Sequence, residues 1–291
     1  GDGGLSLTPF SPAALPQGFS GLFFAMVFSF TSFIGFEAAA VLGEETSNPR
    51  SAIPRAVLTA VIVAAVFYVL VSYAMSVGYG VAHADKWATD QAPLDTLSNR
   101  YAGPALATIV DLMVAVSAFI AALAGVNLTS RMLFAMGRDG GIPPVFGLTH
   151  ARYKTPWVGI IAALLLTLVL GATLGRSLGV FTFFGFLATT GSIGILFAYI
   201  LVAISSIVYF LRTRQQNQNG LMVVWDVLLP VIAVLLCGAT IYSSIVPVPQ
   251  APLNLAPYIM GAWLLLGIIV VIVLWLTQAE RVREFGKILG E

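Results

Sequence analysis

Between Phe19 and Gly43 the chain carries one ionisable side chain, Glu37, two residues after Gly35 in the run FTSFIGFEAAAVLGEETSNP. In so apolar a stretch a carboxylate must be paired, hydrated or neutralised. Glycine in such a segment permits close packing or a local break, and a break frees peptide N–H and C=O groups for a ligand. Glu37 would then bind the freed amides, hold a cation or exchange a proton. Its plainer role is to pin a bent backbone, and the two roles can coexist.

Other polar residues in apolar surroundings are few. Asp111 either faces a water-filled vestibule or marks the wetter end of its segment. Asn127, Thr129 and Ser130 form one hydroxyl–amide patch, and Thr189, Thr190 and Ser192 another, between Gly185, Gly191 and Gly194. Hydroxyls of this kind commonly bond back to their own helix, and the glycines around the second patch predict a bend. Phe30, Phe33 and Phe36 either gate a cavity or simply pack. His83 and His150 are far apart and Cys237 is the only cysteine, which argues against a metal cluster and excludes a disulfide. No Walker A loop, HExxH or GxSxG is present, so nothing points to ATP hydrolysis or a hydrolase.

The elements that must position these residues follow from composition. Of 291 residues 58% are hydrophobic and 9% charged, with mean hydropathy +0.94 and net charge +1. Soluble domains carry about 25% charged residues, so a soluble enzyme, a disordered chain and a nucleic-acid binder are excluded. The apolar runs are continuous rather than alternating, which selects helices over a β-barrel. The expectation is an all-α membrane protein with seven spans: Phe19 to Gly43, Ala56 to Ala82, Gly103 to Ser130, Pro156 to Gly175, a long helix centred on 188–210 with an outer segment bent at Gly179 and Gly185, then 222–246 and 256–277. Asn48-Pro49, Pro54 and the run Gly140–Pro144 are expected to end helices and build turns.

Eleven of the 14 Lys and Arg fall in one set of loops and ends, against Lys86, Arg100 and Arg176 in the other. That bias puts the first set in the cytoplasm, with the N-terminus outside and the C-terminus inside. Residues 1–18 open at Gly1 without a signal peptide and read as an extracellular loop, so the chain is expected to be a fragment.

The block FSFTSFIGFEAAAVLGEETSNPRSAIPRA combines an aromatic-rich half-helix, Ile-Gly-x-Glu, and Glu-Glu-x-x-Asn-Pro-x-x-x-Ile-Pro. It resembles the sixth transmembrane helix and following segment of the amino acid–polyamine–organocation transporters. RMLFAMGRDGGIPPVF followed by TPWVG resembles their eighth helix, its loop and the start of the ninth.

The resemblance implies a five-plus-five inverted-repeat transporter fold, of which this chain would hold helices six to twelve. Residues 19–211 would then be the second repeat of five helices, the first broken near 34–37. Residues 212–278 would be two C-terminal helices and 279–291 a cytoplasmic tail. The partners implied are an amino acid substrate, the lipid bilayer and the missing helices one to five; no nucleic acid, metal or cofactor is implied. Thr31, Ile34 and Gly35 would present carbonyls to the substrate's amino group, Gly125 and Asn127 would line its side-chain pocket, and Glu37 would couple the site to gating or protonation. Some members carry a tryptophan gate where this chain has Thr31, so an aromatic lid falls to Phe30 or Phe33. Secondary amino acid transport is the leading expectation; a seven-helix receptor, or a subunit of a multi-chain channel or transporter, is the alternative.

Overall fold

In a computed structural model, residues 5–12, 15, 18–41, 46–213 and 220–277 are described. The regular elements among them are helical, as a bilayer requires when every backbone polar group must be satisfied within the chain. They are α1 (Gly18–Phe33), α2 (Ala38–Val41), α3 (Pro49–Tyr79), α4 (Ala84–Thr89), α5 (Pro93–Ala102), α6 (Pro104–Arg138), α7 (Trp157–Leu170), α8 (Arg176–Leu178), α9 (Val180–Thr213), α10 (Gly220–Ser243) and α11 (Ala256–Thr277). A single π-helical stretch, Gly171–Gly175, joins α7 to α8.

Six of these segments are long and apolar enough to cross a membrane: Pro49–Tyr79, Pro104–Arg138, Trp157–Leu178, Val180–Arg212, Trp225–Ser243 and Leu253–Thr277. The expected seventh, Phe19 to Gly43, is not one continuous helix. It is the 16-residue α1, a four-residue turn and the short α2. Other boundaries move as well. Helices run past the apolar run into the interfacial zone, so α3 starts at Pro49 rather than Ala56 and α6 ends at Arg138 rather than Ser130. Pro54 ends nothing: it lies inside α3, near enough to the start that its missing N–H costs one early ladder bond. Gly179, at φ +79°, does break the chain before α9, whereas α9 passes through Gly185 without interruption.

The chain forms two compact units. One consists of Gly35–Val169 with the N-terminal segment. In it α5 packs on α3 and α6, and α2 packs on α3 and α6. Gly78 of α3 sits under Leu97 of α5, where an added Cβ would lie 3.1 Å from the leucine, and the Tyr101 hydroxyl donates to Gly78 O at 2.9 Å. The N-terminal segment rests on the C-terminal half of α3, with Phe10 stacked on Tyr73 at 5.5 Å and the Ser6 amide donating to the Tyr73 hydroxyl at 3.2 Å. Below α6 the chain folds back tightly. Met136 O accepts the Gly141 amide at 2.9 Å, and a Cβ on Gly137 would stand 2.6 Å from the Gly147 nitrogen. Further along, α6 and α7 cross where Gly159 meets Ser130, so closely that a Cβ there would be 2.9 Å from the Ser130 carbonyl oxygen.

The other unit consists of Gln17–Ile34 and Leu170–Ala279. Here α9 is central, with α1, α10 and α11 all packed against it. Its buried face carries Phe186, Thr189, Ser192, Ile193, Leu196 and Ala203, a helical stripe. Phe186, Ile193 and Ala256 form the apolar core, covered by Phe197 and Met260. The Met260 side chain lies over Gly194, where a Cβ would meet its Cε at 2.7 Å.

Candidate functional site

The break after α1 has a specific cause. In a continuous helix the Gly35 amide would bond to the Thr31 carbonyl, four residues back. Instead it donates to Glu37 Oε2 at 3.0 Å. The Ala38 amide, which would have gone to Ile34 O, bonds Gly35 O at 3.1 Å. The helical ladder therefore skips the carbonyls of Thr31 and Ile34. The Thr31 carbonyl takes a tighter-turn bond from the Ile34 amide at 3.3 Å, shared with Phe30 O at 3.2 Å. Gly35 stands at φ +116°, a region that L side chains rarely adopt, and a Cβ there would meet nothing within 4 Å. Conformation, not space, makes this residue a glycine.

The sequence-predicted residues fall in both units. Phe30, Thr31, Phe33 and Ile34 belong to the α1 end, where Phe30, Thr31 and Phe33 are half-buried and Ile34 is exposed. Gly35 and Glu37 lie in the turn, with Glu37 half-buried. Gly125 and Asn127 are on α6, in the same unit as Gly35 and Glu37. Gly125 faces open space: an added Cβ would have no neighbour within 4 Å. The Asn127 amide oxygen accepts from Arg131 Nε at 3.3 Å, and its backbone carbonyl accepts from Ser130 Oγ at 2.9 Å. An open groove of about 870 Å³ runs along α3 from Arg55 past Thr59 and Phe67 to Ser117 of α6, and none of the predicted residues lines it. Among the described residues no group of three or more His, Cys, Asp or Glu is arranged to hold a metal ion.

One partner of the break was not foreseen. The Thr31 hydroxyl donates to Val27 O at 2.8 Å and is also hydrogen-bonded to the hydroxyl of Ser192 on α9. The glycines around Thr189, Thr190 and Ser192 predict a bend, with hydroxyls bonded to their own helix, whereas Ser192 reaches across to α1. The available signal was the three-residue spacing of Thr189 and Ser192, which puts both on one helical face.

The sequence matches the family of amino acid permeases over residues 4–285. The chain belongs to the amino acid permease family. This permease is 30% identical over 203 residues to the branched-chain amino acid permease BcaP of Bacillus subtilis, an alignment covering 70% of the chain and 41% of that protein. It is 34% identical over 194 residues to cationic amino acid transporter 4 of Mus musculus, covering 66% of the chain and 28% of the relative. To the D-serine/D-alanine/glycine transporter of Escherichia coli K12 it is 28% identical over 194 residues, covering 67% and 40%. The chain thus spans about two fifths or less of the length of these curated relatives. No solved structure matches it. The relatives are permeases and transporters, not enzymes, and the permease is a multi-pass membrane protein.

Proposed function

We propose that this chain supplies helices six to twelve of an amino acid transporter that works by alternating access, coupled to protons or to exchange. The observation that carries the reading is the turn at 34–37, where Glu37 takes the Gly35 amide and the ladder passes over two carbonyls. A substrate ammonium is a cation with several N–H donors, and carbonyls at a helix break suit it: the ladder passes over Ile34 O, while Thr31 O and Gly35 O each accept one turn bond and keep a second lone pair. Thr31, Ile34 and Gly35 would accept those N–H groups. Phe30 and Phe33, half-buried beside them, would form the aromatic lid.

Gly125 and Asn127 are assigned to the side-chain pocket. The open space at Gly125 leaves room for a branched or extended substrate, in keeping with relatives named for branched-chain and cationic amino acids. Glu37 would link occupancy to gating or proton coupling, because its carboxylate holds the Gly35 amide that a continuous helix would give to Thr31 O. In this reading residues 19–211 form the second inverted repeat. Residues 1–18 and the loops with Lys86, Arg100 and Arg176 face outward, and residues 279–291 face the cytoplasm. Those last residues lie outside the described part of the chain.

The test is uptake of radiolabelled leucine by proteoliposomes of the complete transport protein, with a competition panel of neutral, cationic and acidic amino acids. Saturable uptake inhibited by amino acids is expected. Absence of uptake with every amino acid in the panel would refute the proposal.

A further inference from the structure

Six serine and threonine side chains are buried among the described residues: Ser130, Thr189, Ser192, Thr240, Ser243 and Ser244. Four give their proton to their own helix. Ser130 donates to Asn127 O at 2.9 Å, Thr240 to Leu236 O at 2.8 Å, and Ser243 and Ser244 both to Thr240 O at 2.9 Å. The other two sit one turn apart on the buried face of α9. Ser192 reaches across to Thr31 of α1, while the Thr189 hydroxyl, on a residue 3% exposed, has no partner.

A proton count gives the direction of the bond. Thr31 has a single hydroxyl proton and donates it to Val27 O within α1, so Ser192 is the donor to Thr31. Thr31 therefore arrives at α9 as an acceptor. Thr189 carries an unused proton of the same kind, three residues before Ser192, or about 4.5 Å along the axis. A shift of α1 by that step would exchange one donor for the other. The Thr31–Val27 bond, internal to α1, would survive it. In either position one α9 hydroxyl is paired and one is not, so the two registers are close to balanced in hydrogen bonding. An element with two such discrete arrangements suits a carrier that must change state.

We propose that Ser192 and Thr189 are alternative docking positions for Thr31, and that α1 steps one turn along α9 during the transport cycle. The proposal deepens the transport reading above and rests on it. Ser192 and Thr189 act as positioning residues: they touch the helix that ends in the broken turn, not the solute.

The test uses the complete transport protein in proteoliposomes, in a Cys237→Ala background. Thr31→Cys is combined with Ser192→Cys in one variant and with Thr189→Cys in another, and each is treated with a mild oxidant. Hydroxyl contact distances are compatible with a disulfide between the replacing thiols. Both pairs are expected to cross-link, the second in a proportion that changes when a mixture of common L-amino acids is added. Cross-linking of the Ser192 pair alone, or of neither pair, overturns the proposal.

A second variant asks the same question without oxidation. Removing an unpartnered buried hydroxyl by Thr189→Val is neutral or mildly stabilising in a fixed structure. In a stepping device it deletes one register. Vmax for leucine uptake is then expected to fall about three- to tenfold, the worth of one hydrogen bond, with KM nearly unchanged and with recovery in Thr189→Ser. An unchanged Vmax refutes the step. If the wild-type protein takes up no amino acid, the transport reading fails, and the cross-linking pattern still decides whether α1 moves on α9.

Discussion

Two turns in this permease use the same device in different media. At 34–37 the Glu37 carboxylate accepts the amide of Gly35, two residues back, at 3.0 Å. At 90–92 the Asp90 carboxylate accepts the amide of Ala92, two residues on, at 2.8 Å. Asp90 also accepts from the Tyr79 hydroxyl at 2.5 Å, which ties the connection between α4 and α5 to the end of α3. The first turn interrupts a helix in an apolar segment; the second joins two short helices in a polar loop. If the Asp90 bond is lost, water can replace it. If the Glu37 bond is lost, the nearest replacement acceptor is Thr31 O, the partner a continuous helix would use. Identical chemistry is therefore a reinforcement in one place and, in the function proposed above, a switch in the other.

The sharpest way to break this comparison is Glu37→Ala in the complete protein. The Gly35 amide then regains Thr31 O as partner, the turn at 34–37 becomes continuous helix, and amino acid uptake is expected to fall about tenfold or more, the cost of losing a charge-assisted acceptor in a dry site. Wild-type uptake by this variant would reduce Glu37 to decoration. Next in size is Gly35→Ala. With no neighbour within 4 Å to clash, the penalty is all backbone, about 1–3 kcal/mol for holding an L residue at that φ. It is read as a lowered melting temperature of the detergent-solubilised protein or, if the helix re-forms instead, as lost uptake at an unchanged melting temperature. Glu37→Gln keeps an acceptor but abolishes the charge. Uptake should persist, weakened about two- to fivefold; uptake as low as in Glu37→Ala would show that the charge, not the acceptor, holds the turn.

The smallest effect belongs to the other turn. The Tyr79 hydroxyl, then Thr96 and the Ala92 amide, hold the Asp90 carboxyl below its ordinary value of 3.8. A folded-state value depressed in this way contributes stability that is fully present above the unfolded value and is lost as pH falls through the folded one. Amide exchange across 90–97 should therefore be slow at neutral pH and quicken as pH drops below 3.8. In Asp90→Asn that acid-induced step should vanish, and uptake at neutral pH should stay close to that of the wild type. Loss of transport in Asp90→Asn would show that the two turns are not as unlike as their surroundings imply.

Some of this was legible in the residues. Prolines and charges bracket the last two spans, and the expected 222–246 and 256–277 lie close to Gly220–Ser243 and Ala256–Thr277. The turn at Gly35 could be anticipated because a glycine and a carboxylate two residues apart is an odd thing to find in hydrocarbon. Helix starts were less legible: hydropathy reports how long a segment stays apolar, not where backbone bonding begins, and α3 acquires a polar first turn that no hydropathy count includes. At Gly185 the helix is not interrupted, because a lone glycine weakens a helix without ending it. The pairing of Thr31 with Ser192 joins residues 161 positions apart, which periodicity along one segment does not reveal.

One last consequence concerns the stretch after α6, whose glycines and prolines suggest a slack tether. Because Gly137 and Gly147 leave no room for even a methyl group between them, and Met136 O clasps the chain as it turns, this hairpin behaves as a stiff buckle. Push on the foot of α6, and the connection toward α7 relays the push instead of absorbing it.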